Sequence, residues 1–383
     1  MTYDIDTLGV FQKTTLANGL RVVTCEMTHT RSVTISIFIG VGSRYETAEQ
    51  AGVSHFIEHL VFKGTERRPD PAQISGTIEG TGGMLNAGTE QELTVYWCKV
   101  AEPHFGESLD LLIDMLRNSL FEAESIETER NVVLEELSSI NDYPASRVDS
   151  MIDEMLWPDH PLGRDIGGTK ESVAGITREA MLEHMADYYT PANVVISVAG
   201  NVRTADVVAQ VAALCANWPN AESDAWTPVT HAQLDSQLRL EYRRTEQVNL
   251  SIALPGLGAH HPRRHALDLL SIVLGEGMSS RLFVELREKR GLAYDVHSGV
   301  THFQDCGAFL ITAGVDPRRV YDAAATILEQ VGGMRVRVPE EELEKTKRLV
   351  EGRLLLRMED TRAVSNWMGS QELLRGQMLS IDE

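Results

Sequence analysis

The 383-residue sequence predicts an α+β fold that is built from two copies of one unit. Segments that alternate apolar and polar residues, typical of strands, are separated by segments with the period of amphipathic helices. Turn signals join neighbouring strands directly, which favours antiparallel pairing. The order strand-strand-helix-helix-strand-strand-helix occurs in the first half and again in the second. We therefore expect two duplicated domains, each a mostly antiparallel sheet with helices packed on one face.

The elements of the first half follow from hydrophobic periodicity and turn residues. Asn18-Gly19 is a strong hairpin signal between the first two strands. Gly64 is a suitable C-terminal cap for the helix predicted at 53–62. Strands are predicted at 11–14, 21–27, 32–40, 84–89, 93–97 and 194–198. Helices are predicted at 53–62, 73–79, 105–118, 125–141, 148–157, 179–189 and 204–218.

The second half repeats this plan after a segment rich in Pro, Asn, Ser and Asp, which predicts a linker. Strands are predicted at 238–242, 248–254, 293–299 and 308–313, and helices at 266–274, 280–288 and 318–331. We therefore expect a first domain at 1–218, a linker at 219–235 and a second homologous domain at 236–383.

The net charge of −21, from 56 acidic against 35 basic residues, argues against a nucleic-acid partner. It is compatible with attraction of cationic substrates, although acidity that merely serves solubility explains the composition equally well. The four cysteines form no Cys-x-x-Cys pair, so neither a disulfide framework nor a cysteine zinc site is expected. With no basic segment at the N-terminus and no run of about 20 apolar residues, we expect a cytoplasmic protein without a membrane partner.

The stretch from Ser54 to Phe62 carries the strongest chemical signal. In a helix, His55, Glu58 and His59 share one face, while the apolar residues around them pack elsewhere. Two imidazoles four residues apart can bind one zinc ion, and a carboxylate between them can act beside the metal. This is the His-x-x-Glu-His arrangement of inverted zinc peptidases. The alternative is a core helix whose histidines are hydrogen-bonded within the protein.

A second helix, at 125–141, is rich in acidic residues. Glu129 and Glu136 lie two turns apart and share a face, while Glu135 points about 100° away from Glu136. From its residues alone, this helix is equally a solvated acidic one.

The sequence resembles the pitrilysin-type (inverzincin) zinc metallopeptidases, in particular the bacterial single-chain relatives of mitochondrial processing peptidase. The resemblance extends over nearly the whole chain. The matching segments are 40–46, 55–59, 62–65, 83–87, 129–136, 163–164 and 189–193, together with the sequence Arg-Glu-Lys-Arg-Gly-Leu-Ala-Tyr at 287–294.

The resemblance implies one Zn²⁺ per chain, with His55, His59 and Glu136 as its ligands. Glu58 is implied as the catalytic base that activates a zinc-bound water, and Glu129 as an acid that orients a ligand. The second copy has no His-x-x-Glu-His sequence, so we expect metal in the first domain alone.

The resemblance also implies residues that bind the substrate. Asn86 and Ala87 match a strand edge to which peptides add, although Asn86 by itself is equally typical of a turn. Arg287 and Tyr294 match a substrate-clamping pair with a catalytic role. Without the family, Arg287 is a surface charge and Tyr294 a strand residue.

The implied function is a zinc metalloendopeptidase that hydrolyses unfolded peptides, or processes precursor peptides, inside a closed chamber. Basic peptides are the expected substrates if the chamber is acidic. Because one chain carries both the zinc residues and the clamping pair, we expect a homodimer, each chain forming half of a clamshell. A non-catalytic subunit is the alternative. Relatives extend beyond residues 379–383, so we expect a second domain that is short of an element, or a truncated chain.

Overall fold

The computed structural model of the chain describes residues 11–230 and 235–380. These residues form two compact units, each assembled from separate stretches of sequence. The first unit comprises 11–137, 165–227 and 354–380, and the second comprises 138–164, 228–230 and 235–353. The α+β class is confirmed. Each unit, however, also takes in a helix from the other half of the chain, which the expected division at 218 and 236 did not include.

The first unit is organised around a six-stranded sheet with the strand order β1-β2-β6-β3-β5-β4. One pair, β2 with β6, is parallel, and the other neighbouring strands are antiparallel. The strands are β1 Gln12–Thr15, β2 Arg21–Glu26, β3 Ser32–Ile39, β4 Met84–Thr89, β5 Thr94–Ala101 and β6 Val194–Gly200. The helices of the first half of the chain are α1 Val53–Leu60, α2 Pro71–Glu79, α3 Phe105–Asn118, α4 Ala123–Asp142, α5 Pro144–Leu156, α6 Lys170–Gly175, α7 Arg178–Tyr188 and α8 Thr204–Cys215.

The centre of this sheet is buried on both faces, as β6 shows. Its residues Ile196 and Val198 join the core that contains α1 and α3. The alternate residues Val195 and Ala199 join a second core on the opposite face. A strand buried on both faces is a continuous apolar run, which is the pattern Val-Val-Ile-Ser-Val-Ala of this segment.

The helix on the opposite face comes from the end of the chain. This helix is α12, Thr361–Arg375, the last helix of the chain in the described residues. It packs on β3, β6 and β2. A Cβ on Gly369 would lie 2.2 Å from Phe38 Cε2, so only glycine allows this close approach. Ser365 accepts a hydrogen bond from Ser197 Oγ through its carbonyl and donates one to Ser36 Oγ. The expectation of helices on one face is thus extended by a helix on the other.

The second unit contains a three-stranded antiparallel sheet with the order β7-β9-β8. Leu156, Trp157 and Phe303 belong to a small core in this unit, and α5 packs against β7. The strands are β7 Val248–Pro255, β8 Ala293–His302 and β9 Gly307–Val315. The remaining helices are α9 Arg264–Gly275, a π-helical turn Phe283–Lys289, α10 Val320–Gly333 and α11 Glu340–Arg357.

The strand predicted at 238–242 is wrong, because this segment forms no strand in the structure. Leu238 and Leu240 are 93% and 85% exposed. The alternate residues Arg239 and Glu241 form ion pairs with side chains of α5 instead. The alternating pattern of this segment is therefore real, but its charged residues face α5 and its leucines face the solvent.

The predicted linker contains no helix or strand in its described part, 219–230 and 235. Three parts of the expected domains lie outside the described residues. They are residues 1–10 of the first domain, residues 231–234 of the linker and residues 381–383 of the second domain. In the described part of the chain, no helix is both long enough and apolar enough to cross a membrane.

Candidate metal centre

Helix α1 is fixed at its first turn by Glu46. The two carboxylate oxygens of Glu46 accept hydrogen bonds from the backbone N–H groups of Gly52, at 2.7 Å, and Ser54, at 2.9 Å. An anionic side chain at this position satisfies helix N–H groups and complements the helix dipole. Gly52 has φ of +93°, and a Cβ there would lie 2.4 Å from the carbonyl oxygen of Gly167. Glycine is therefore required at the start of this helix.

The apolar residues of α1 are buried in the core, which leaves His55, Glu58 and His59 together on the other face. The Nε2 atoms of His55 and His59 lie 3.3 Å apart, and the two rings meet edge to face. Burial and the neighbouring His59 lower the pKa of His55 to about 4. His55 is therefore neutral at pH 7, as a metal ligand must be.

Helix α4 brings a carboxylate to this pair. Glu136 Oε2 lies 3.8 Å from His55 Nε2 and 3.6 Å from His59 Nε2. The three donor atoms lie within 4.8 Å of one another, and among the described residues this is the only group of three or more such side chains that could hold a metal ion. Two ligands of a tetrahedral zinc, each bonded at about 2.0–2.1 Å, lie about 3.4 Å apart, so the donor set fits zinc.

Glu129 also belongs to α4, where it lies on the same face as Glu136, and its side chain is buried. Its carboxylate lies 3.2 Å from His59 Nδ1 and 2.7 Å from Lys63 Nζ. Because a carboxylate accepts hydrogen bonds, Nδ1 carries the proton and Nε2 keeps its lone pair. The Nδ1 atom of His55 is buried and has no hydrogen-bond partner among the described residues.

Glu58 lies on the same face of α1 but outside the group of metal-donor atoms. Thr89 Oγ1, at the end of β4, donates a hydrogen bond of 2.6 Å to Glu58 Oε2. Burial raises the pKa of Glu58, and the hydrogen bonds from Thr89 and the nearby His59 oppose this effect. A carboxylate beside metal donors with a raised pKa is suited to accept and return a proton.

Asn86 and Ala87 lie in β4, so Asn86 is a strand residue and not a turn residue. Among the residues that the structure describes, strand β4 is at the edge of the sheet and pairs with β5 alone. Asn86 is exposed, and its Oδ1 accepts a hydrogen bond of 2.8 Å from the N–H of Ala87. The structure thus places both residues on the kind of edge to which a peptide can add.

Arg287 and Tyr294 lie together in the second unit. Arg287 belongs to the π-helical turn, and Tyr294 is the second residue of β8. The guanidinium of Arg287 lies 5.3 Å from the ring centroid of Tyr294 and 4.9 Å from that of Phe283. Tyr294 is 79% exposed, so its hydroxyl is accessible from solvent.

Two family descriptions match the chain. Residues 21–170 match Insulinase (Peptidase family M16), and residues 175–350 match Peptidase M16 inactive domain. An uncharacterized zinc protease of Streptomyces coelicolor is 35% identical over 383 residues, which covers 98% of this chain and 83% of that protein. The zinc protease YmxG of Bacillus subtilis, also uncharacterized, is 35% identical over 98% of this chain and 91% of its own length.

This chain belongs to peptidase family M16. The resemblance predicted from the sequence is confirmed, and the chain is a zinc metallopeptidase of this family. A protease from Helicobacter pylori has the same fold, with a TM-score of 0.88 at 23% identity over 98% of this chain and 94% of that one. A putative M16-like peptidase from Alicyclobacillus acidocaldarius matches with a TM-score of 0.82 at 19% identity, over 97% and 90% of the two chains.

Sequence reasoning about this M16 peptidase missed two residues that position the site. Glu46 lies in a matching segment, but it is six residues before Gly52, which is outside the two- or three-residue spacing of ordinary helix caps, so its contact is not indicated by a local pattern. Thr89 was interpreted only as the end of a strand. Its contact with Glu58 joins positions 31 apart in sequence, and no local pattern indicates such a contact.

Proposed function

We propose that this M16 zinc protease is an endopeptidase that cleaves extended peptides, with zinc held by His55, His59 and Glu136. The observation that carries the proposal is the convergence of three donor atoms within 4.8 Å beside the separate carboxylate of Glu58. Zinc supplies Lewis acidity, which activates water near neutral pH. One zinc per chain is expected, because the described residues contain one such donor group.

In this proposal Glu58 is the general base and acid. Its carboxylate takes a proton from the attacking water and returns it to the leaving amine. Burial raises its pKa, which brings the pKa closer to the working pH and makes the carboxylate a better acceptor for the proton of the attacking water. Glu129 keeps His59 in the tautomer that leaves Nε2 available, and so it prepares the site without contacting the substrate.

We propose that the edge of β4 binds the peptide as an added strand. The backbone of an edge strand has hydrogen-bonding groups on its outer side, and a peptide in extended form can pair with them. Asn86 and Ala87 are the proposed contacts, and β4 ends at Thr89, whose hydroxyl contacts Glu58. Backbone pairing gives affinity with little side-chain selectivity, which suits a peptidase for unfolded substrates, whether a scavenger or a processing enzyme.

The clamping role of Arg287 and Tyr294 and the closed chamber are further parts of the proposal. Their support is the close approach of Arg287 to an exposed tyrosine, which leaves a phenolic hydroxyl available to a carbonyl oxygen. We also propose a homodimer, because a single chain carries both the metal donors and this pair. Light scattering after size exclusion would give twice the mass of 42.4 kDa, and a monomeric mass for an active enzyme would contradict the dimer.

The preference for basic peptides and the cytoplasmic location are proposals with separate support. The net charge of −21 favours cationic substrates. Cleavage of lysine-rich and glutamate-rich peptides of equal length, at low and high salt, tests the preference. The cytoplasmic location is supported by the scattered cysteines, three of which are buried thiols, and cell fractionation tests it.

The central experiment is cleavage of a quenched peptide by zinc-loaded protein, with zinc content measured in parallel. Glu58→Gln should keep zinc and lose about 10²–10⁴-fold in kcat, since the general base is removed. Glu136→Gln should lose zinc and activity together, whereas Glu135→Gln, on the same helix and outside the donor group, should change neither. Peptidase activity that persists in Glu58→Gln would contradict the proposal.

A further inference from the structure

The hydroxyl of Thr89 donates a hydrogen bond of 2.6 Å to Glu58 Oε2, which joins the end of β4 to the middle of α1. This distance lies in the range of charge-assisted O–H···O⁻ bonds, which are stronger than neutral ones. The terminal torsion of a glutamate side chain is broad, so a carboxylate without such a partner takes many orientations. The bond to Thr89 therefore selects one orientation of the Glu58 carboxylate.

We propose that Thr89 is a positioning residue for the peptidase reaction, an inference that rests on the function proposed above. The hydroxyl of Thr89 holds Oε2 of Glu58, together with a hydrogen bond from the Thr89 backbone, and so sets the orientation in which the carboxylate exchanges a proton with the attacking water. A misplacement of about 1 Å at a reacting group can cost about 10²-fold in rate, so a fixed carboxylate is worth a large factor. In this role Thr89 acts through Glu58 and not through the proposed metal ligands His55, His59 and Glu136.

The position of Thr89 also connects the base with the proposed peptide edge. Thr89 pairs with Thr94 at the end of the β4–β5 hairpin, three residues after Asn86. The backbone that would pair with the peptide and the hydroxyl that orients the base thus belong to one short strand. A peptide added to β4 would therefore lie close to the strand end that contacts Glu58.

The second unit repeats this arrangement at equivalent positions. His302 pairs with Gly307 at the end of the β8–β9 hairpin, with the same spacing of five as Thr89 and Thr94. His302 Nε2 lies 2.9 Å from Asp268 Oδ1, and Asp268 follows His265 by three residues on α9, as Glu58 follows His55 on α1. The fold therefore places a strand-end side chain against a helix acid in both copies, and in the first copy that acid lies beside metal donors.

Three variants separate positioning of the base from general stability. Thr89→Val removes the hydroxyl and keeps the shape, and Thr89→Ser restores a hydroxyl. Thr94→Val is the matched control, because the buried Thr94 Oγ1 donates a hydrogen bond of 2.9 Å to the carbonyl oxygen of Val41 in the same hairpin and does not contact Glu58. Each variant is assayed for kcat, KM, zinc affinity and melting temperature.

We expect Thr89→Val to lower kcat by about 10–100-fold, the range for loss of a supporting hydrogen bond, with KM and zinc affinity within about twofold of wild type. Thr89→Ser should recover most of the loss, and Thr94→Val should lower the melting temperature while keeping kcat. Equal kcat for Thr89→Val and wild type would overturn the inference, as would an equal loss in Thr94→Val. A wild-type enzyme that binds zinc and cleaves no peptide would instead contradict the proposed function, and the inference with it.

Discussion

The Nδ1 atom of His59 lies 3.2 Å from the carboxylate of Glu129, and Nζ of Lys63 forms an ion pair of 2.7 Å with the same carboxylate. Glu129 is buried, so its charge requires these two partners. The contact joins α1 to α4, the two helices that carry the proposed metal ligands. An ion pair inside the protein thereby fixes the ring orientation of one donor before any metal binds.

Replacement of this buried acid should weaken metal binding. We expect Glu129→Gln to raise the dissociation constant for zinc by about 10–100-fold, since a neutral amide holds the ring less firmly and leaves Lys63 unpaired. Competition with a fluorescent chelator measures the constant. Glu127→Gln, an exposed acid two residues earlier on the same helix, is the control and should bind zinc like wild type. Equal affinities for both variants would contradict a supporting role.

The stability of the protein should depend on pH through His184. This buried residue of α7 contacts Ser54 Oγ at 3.1 Å, and burial lowers its pKa to about 4. The unfolded chain takes up this proton near pH 6.5 and the folded chain only near pH 4, so stability is full above pH 6.5 and falls as the pH drops toward 4.

Urea unfolding of metal-free protein at pH 6.5 and pH 5 measures this effect. A shift of one pKa unit corresponds to 1.36 kcal/mol, so His184 should account for a loss of about 2 kcal/mol over this interval. His184→Gln, which does not titrate, should lose about that much less than wild type. Parallel losses in the two proteins would show that His184 does not carry the proton.

The phenol of Tyr294 should matter for turnover and not for metal. We expect Tyr294→Phe to lower kcat/KM by about 10–10³-fold, because a donor to the developing oxyanion is lost, while zinc content stays constant. Tyr321→Phe is the matched control, since Tyr321 is another highly exposed tyrosine of the second unit. If both variants cleave a quenched peptide like wild type, Tyr294 has no part in catalysis.

The packing of α12 on the sheet should depend on Gly369. A methyl group there would lie 2.2 Å from the ring of Phe38, so Gly369→Ala should destabilise the first unit by about 1–3 kcal/mol. Gly352→Ala, in α11 with nothing within 4 Å of the added carbon, should instead stabilise by about 0.5–1 kcal/mol through helix propensity. Thermal melting compares the two, and a neutral Gly369→Ala would show that the sheet can move away from α12.

The sequence predicted the elements best where periodicity is strong and partners are local. The helix at 105–118 was predicted with its observed limits, and α1, α4 and β6 were found within a few residues. The strand at 238–242 failed because alternation alone does not say which set of residues faces the protein. There, Arg239 and Glu241 are held by ion pairs with α5, and the leucines remain exposed.

The sequence by itself determined which residues can hold a metal, because His55 and His59 share a helix face through their spacing alone. Tertiary structure decided that Glu136 approaches them within 3.8 Å, that Glu129 and Thr89 hold His59 and Glu58, and that α12 covers the far face of the first sheet. The physical reason is the separation along the sequence over which each interaction acts. Helical and strand periods are set by neighbouring residues, whereas these contacts join positions from 31 to more than 300 residues apart, and only the folded chain brings them together.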